Sequence, residues 1–152
     1  MNPDHSETLT RVFTEVLEQL AFMFVEPPDS DFAPAPPDPV SANMSFRGPF
    51  SGIVTLAVPR EMAPVLAANV LGLDPGDELG LQAARDALKE LLNVICGNVL
   101  TAIAGDEPVF DLTVPDVEDF TAEAWDELAD RPGTVYCIAD EFPVLLNLEI
   151  RE

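Results

Sequence analysis

The residues whose types and spacing suggest chemistry lie between Asp86 and Thr101. Asp86, Glu90, Asn93, Gly97 and Thr101 follow one another at intervals of four, three, four and four positions, which places them on one stripe of an α-helix. Two acids, a carboxamide and a glycine would then share one outward surface, with carboxylates suited to a basic partner and a glycine where another backbone can approach closely. Asn and Gly are poor helix formers, and Gly costs about 1 kcal/mol relative to Ala in a helix interior. Their position mid-helix therefore asks for a reason, although a solvated face with loosely constrained composition stays open as the ordinary explanation. Other site chemistries find little support. His5 is the single histidine and no Gly-x-Ser-x-Gly element occurs, so a Ser or Cys nucleophile has no base. The acids have no metal-ligand spacing with His or Cys. Cys96 and Cys137 fall in apolar segments and read as small buried hydrophobes rather than a disulfide framework.

The helix that carries this stripe is predicted over 81–104, with Leu88, Leu91, Leu92, Ile95, Val99 and Ile103 on its buried side and Gly105 closing it. A first helix is expected from Glu7 to about Phe24, with an apolar stripe of Leu9, Val12, Phe13, Val16, Leu17, Leu20 and Phe24. An Asp4/Glu7 capping box would open it. Six prolines between Pro27 and Pro39 favour extended, solvated chain, so 26–39 reads as a connector with little apolar area to bury and open to shortening. Strands are expected over 40–47 and 50–58, forming a hairpin at Gly48-Pro49. A short helix then begins at Pro59-Arg60-Glu61 and stops at Gly72 and the turn-rich Asp74-Pro75-Gly76-Asp77. A strand over 109–114 ends at Pro115, an acidic stretch around Trp125 follows, and 134–139 with 144–150 form a second hairpin. This order points to one α/β domain over residues 1–152, of the α+β type, with a mixed, mainly antiparallel sheet covered by helices on at least one face.

The chain has 152 residues, with 28 acidic against 7 basic side chains and a net charge of −21. Nucleic-acid binding needs clustered Lys and Arg, whereas this chain has one lysine, Lys89, and scattered arginines. An anionic membrane face would repel it. The sequence shows no apolar run of about 18 residues or more and starts Met1-Asn2-Pro3-Asp4-His5 without an export-type opening. The expectation is a cytoplasmic protein that contacts neither nucleic acid nor membrane.

Asp86-x3-Glu90-x2-Asn93, followed after twenty-one further residues by Pro115, resembles the signature of the CheC, CheX and FliY response-regulator phosphatases. The strand over 52–58, the Ala-rich helix after it and the closing hairpin over 134–152 are similar to that family in order and spacing, so the resemblance covers about residues 9–150. Thr14-x3-Glu18-x2-Ala21 has similar spacing but carries Ala where the carboxamide would be. One working site is thereby implied, as in the CheX branch, whose members form homodimers. The apolar run 144–150, which would be a sticky edge if unpaired, points the same way.

The resemblance implies a CheC-like fold and, as substrate, a CheY-like response regulator phosphorylated on aspartate, in chemotaxis or another two-component pathway. Asn93 would position a water, Glu90 would engage the receiver's lysine, Asp86 would extend the docking edge and Gly97 would give clearance. No cofactor of its own is implied, because the receiver domain holds Mg2+. A non-catalytic acidic adaptor for a receiver or a flagellar or signalling protein stays open, since a net charge of −21 attracts basic patches without catalysis. The two readings part at Asn93, whose amide only the phosphatase needs.

Overall fold

Alternation along the strands decides the layering. The computed structural model describes residues 5–30, 33–72 and 81–151. In chain order its elements are α1 (Ser6–Leu20), β1 (Val25–Glu26), β2 (Pro39–Arg47), β3 (Ser51–Pro59), α2 (Met62–Leu71), α3 (Leu81–Ala104), β4 (Asp111–Leu112), β5 (Asp116–Asp119), α4 (Ala122–Asp130), β6 (Thr134–Ala139) and β7 (Phe142–Arg151). Val54, Leu56 and Val58 of β3 and Val144, Leu146 and Leu148 of β7 turn to one face and pack with α1, α2 and α3. Their neighbours Ala57 and Leu145 turn to the other face, against Trp125 and Leu128 of α4. The result is an α+β fold around a seven-stranded antiparallel sheet in the order β1-β6-β7-β3-β2, with β4 and β5 both pairing with the outer side of β2.

The expected hairpin of β2 and β3 forms in the register Arg47↔Ser51. Its register depends on Gly52. A Cβ there would sit 2.6 Å from the Phe46 ring and closer still to the Glu149 carbonyl, so no other residue fits. Phe46, Phe50 and Phe110 then stack edge to face with centroids 5.2–5.9 Å apart. The second hairpin is tighter than its expected loop. Asp140 and Glu141, at φ 45° and 75°, make a two-residue turn of the type favoured between antiparallel strands, so β7 begins at Phe142. β7 is paired with β6 over Phe142–Asn147 and with β3 over Leu145–Arg151, so the run 144–150 is held in the sheet rather than left as an unpaired strand.

Three expectations give way to tertiary structure. α1 ends at Leu20. Met23 N–H donates to Leu17 O at 3.1 Å, Phe22 adopts φ 56°, and Phe24 stands 72% exposed rather than on the apolar stripe. The helix is capped from His5 without a side-chain bond, and Asp4 of the expected capping box lies outside the described residues, as does the turn 74–77. The acidic stretch around Trp125 is the helix α4, with Thr121 Oγ1 accepting from Ala124 N–H at 3.0 Å. The segment over 26–39 is also not wholly solvated. Val25 and Glu26 pair with β6, Pro39 opens β2, and Ala33 is buried against Trp125, whose Nε1–H donates to Ala33 O at 3.1 Å.

Candidate functional site

The stripe from Asp86 to Thr101 stands on the most firmly anchored helix of the fold. Leu88, Leu91, Leu92, Ile95 and Val99 are buried and Ile103 partly so, and this face seats α3 on α1, α2 and the sheet. Gly105, at φ 85°, ends the helix. Residues 82–104 are long and apolar enough to cross a membrane by composition; here their apolar side forms the core. On the opposite side Asp86, Glu90, Asn93 and Thr101 are exposed. Gln82 Nε2 donates to Asp86 Oδ1 at 2.8 Å. Gly97 is half-buried, and a Cβ built on it meets nothing within 4 Å, so the surface above it is open.

The second wall of the site comes from the sheet edge. β4 pairs with β2 at Phe46 and Arg47, and β5 pairs with it over Val40 to Asn43. Between them Thr113 N–H donates to Ser45 O at 3.0 Å, and Ser45 N–H donates to Thr113 Oγ1 at 2.9 Å. The ladder is then interrupted, and Val114 and Pro115 leave the edge. Proline has no N–H to strand there, and Val114 is 82% exposed. This arch replaces the continuous strand expected over 109–114. A groove of ≈ 370 Å³ separates arch and helix, lined by Asp86, Lys89, Glu90 and Asn93 on one side and by residues 112–115 on the other. Asp86, Glu90, Asn93 and Pro115 thus come together, while Gly97 lies one turn beyond Asn93, outside the groove lining.

The sequence reading missed the basic ridge beside this trio. Arg85, Lys89 and Asn93 are spaced four apart, which aligns them along α3. Arg85 Nη1 approaches Val117 O at 3.5 Å, so that end of the ridge faces β5. The signal was available in the helical spacing of the chain's single lysine. At the far end of β5, Arg60 donates to Asp119 Oδ1 at 2.6 Å and holds its carboxyl below the usual range, first through that hydrogen bond and then through its charge.

Other parts of the molecule offer less chemistry. A larger hollow of ≈ 600 Å³ lies between α4 and the second sheet face, but its Ser and Thr side chains have no histidine beside them. Cys96 and Cys137 are buried, and burial pushes both thiols up to about 11. They are neutral at ordinary pH. Among the described residues no group of three or more His, Cys, Asp or Glu side chains is placed to hold a metal. The related spacing in α1 presents no third polar group, because Ala21 is fully buried and Thr14 Oγ1 donates to Thr10 O at 2.7 Å.

Residues 40–137, which include the trio and Pro115, match the family described as Chemotaxis phosphatase CheX. The chain belongs to the CheX family. No curated protein matches it. Among solved structures it is similar to chemotaxis protein CheX from Vibrio vulnificus, at 17% identity over 98% of this chain and 97% of that one, with a TM-score of 0.71. It is also similar to CheX from Desulfovibrio desulfuricans, at 20% identity over 97% of this chain and 100% of that one, with a TM-score of 0.67. A chain of the CheX–CheY–BeF3–Mg2+ complex from Borrelia burgdorferi matches at 19% identity over 99% of this chain and 100% of that one, with a TM-score of 0.59. At these identities the likeness is one of fold.

Proposed function

We propose that the protein is a cytoplasmic phosphatase that hydrolyses the aspartyl phosphate of a CheY-like response regulator, using Asn93 to position the attacking water. The observation that carries this reading is the exposed carboxamide of Asn93 one turn after Glu90, on a rigid helix, in a groove walled by the Pro115 arch. Membership of the CheX family and the fold likeness to a chain from a CheX–CheY complex support it.

The chemistry asks little of the protein. An aspartyl phosphate is an acyl phosphate and is already labile, so placing a water in line with the departing carboxylate is the main task. An amide donates and accepts hydrogen bonds without changing its protonation state, and Asn93 holds the water's hydrogen while leaving a lone pair aimed at phosphorus. Glu90 makes a charge-assisted contact with the receiver's lysine, Asp86 extends that acidic edge, and Gly97 leaves room for the partner's backbone. Mg2+ belongs to the receiver, and this chain contributes no cofactor. A homodimer rests on the family resemblance alone, since β7 is already paired.

The test is the decay of receiver phosphorylation with parent and Asn93→Ala protein. The variant is expected to fold, to bind the receiver and to leave decay at its intrinsic rate, because an exposed side chain costs little stability. An Asn93→Ala protein that hydrolyses at the parental rate refutes the water-positioning role, and a parent that binds without accelerating decay is an adaptor.

A further inference from the structure

We infer that Lys89 makes the site specific for the phosphorylated state of its partner by meeting the phosphoryl group. This rests on the proposed phosphatase reading and adds a residue to which neither the trio nor the resemblance assigns a role. Lys89 is the only lysine in a chain with 28 acids, and it lines the same groove as Glu90 and Asn93. It is half-buried, and it stands one turn before Asn93 on the ridge that begins at Arg85. Arg85 is engaged with the Val117 carbonyl. Among the described residues Lys89 makes no ion pair, the two recorded bridges being Arg60–Asp119 and Arg151–Glu149.

The argument is electrostatic. Asp86 and Glu90 suit a basic docking surface, yet the same groove must close over a phosphoryl group carrying close to two negative charges at neutral pH. An acid-lined groove repels that group, and a neutral carboxamide does not offset the repulsion. A cation beside the carboxamide does. Lysine fits the task because its ammonium is a compact charge with three donors on a flexible four-carbon stem, set on a residue that lines the groove. If the groove served only to hold a basic surface, a cation within it would oppose binding.

The experiment measures the affinity of parent, Lys89→Gln and Lys89→Arg for a CheY-type receiver in two states, unmodified and charged with BeF3 and Mg2+, alongside turnover of the phosphorylated receiver. Lys89→Gln is expected to reduce the preference for the charged state roughly three- to fivefold, the size of one partly exposed charge contact, and to leave affinity for the unmodified state unchanged. KM should rise by a similar factor with kcat nearly kept, because ground state and transition state lose the contact alike. Lys89→Arg should retain most of the preference. An unchanged preference in Lys89→Gln overturns the inference, as does an equal loss in both states, which would make Lys89 a general docking residue. If the parent prefers the charged receiver without hydrolysing it and Lys89→Gln loses that preference, the phosphatase reading falls and discrimination by Lys89 stands; if the parent shows no preference, the inference falls.

Discussion

Replacing Gly97 by Ala separates stability from function. Gly97 is an interior position of the 24-residue helix α3, and a Cβ built there has open space with no atom within 4 Å. The methyl therefore meets no clash, and the intrinsic difference between the two residues in a helix interior, about 1 kcal/mol in favour of Ala, should appear almost in full. For a chain of this size that corresponds to a rise in melting temperature of roughly 2–4 °C. The functional effect has the opposite sign. Gly97 lies one turn, about 5.4 Å along the axis, beyond Asn93, and in the proposed complex the partner's backbone crosses it. A methyl lifts that backbone by about the 1 Å that suffices to cost on the order of 10²-fold in a positioned reaction. The expected result is a more stable protein with receiver turnover reduced tenfold or more, read from thermal melts and phosphorylation decay on the same preparation. A stabilised variant with parental turnover refutes the clearance argument, and a destabilised variant refutes the open geometry above the helix.

Glu90→Gln should weaken receiver binding severalfold at low salt, with the gap closing as the Debye length shrinks to about 3 Å near 1 M salt; titration calorimetry across salt concentrations checks this, and a parental affinity indifferent to salt contradicts it. Trp125→Phe keeps most of the buried ring but leaves Ala33 O without its donor, at a cost of about 1–3 kcal/mol in denaturant titration. Excising residue 33 while shortening the proline-rich segment should lower stability too, against the sequence expectation of a dispensable connector. Both thiols, raised from 9.0 to about 11, should resist a thiol reagent at pH 8 in the native protein. Since the unfolded chain releases protons that the native state keeps, their contribution is fully present below pH 9 and lost as pH rises toward 11, which melts across that range would show.

What the sequence made legible follows from where each signal is stored. α3 was readable end to end because its apolar stripe and its closing glycine are local and agree with each other. The β2–β3 hairpin was readable for the same reason. α1 was overrun because Phe24 continues the helical spacing, and only the turn at Phe22, held by bonds from Met23 N to Leu17 O and from Asn69 Nδ2 to Ala21 O, excludes it. α4 was obscured by its acids, although Thr121 as a cap and the buried pair Trp125 and Leu128, three apart, had marked it. β4 and β5 carry almost no local signal, being two and four residues long, and exist because β2 has an outer edge to fill.

The same division explains the site. The exposed placement of Asp86, Glu90 and Asn93 on α3 is a local pattern legible in the sequence, whereas the groove depends on a return path. From Asn93 to the end of α3 is eleven residues, a rise of about 16 Å, and extended chain retraces that distance in about five residues. The rest of the interval to Pro115 goes into the turn that carries Phe110 onto the Phe46–Phe50 cluster and into β4. The separation of Asn93 and Pro115 is thus the length of a helix outward and a sheet edge back. Pro115 falls where the ladder on β2 is broken, so the wall opposite Asn93 stands off the sheet rather than lying flat in it. Insertion or deletion within residues 106–110 should therefore disturb the groove while leaving α3 in place, because the aromatic cluster fixes the phase of the returning chain and α3 is held by its own buried face.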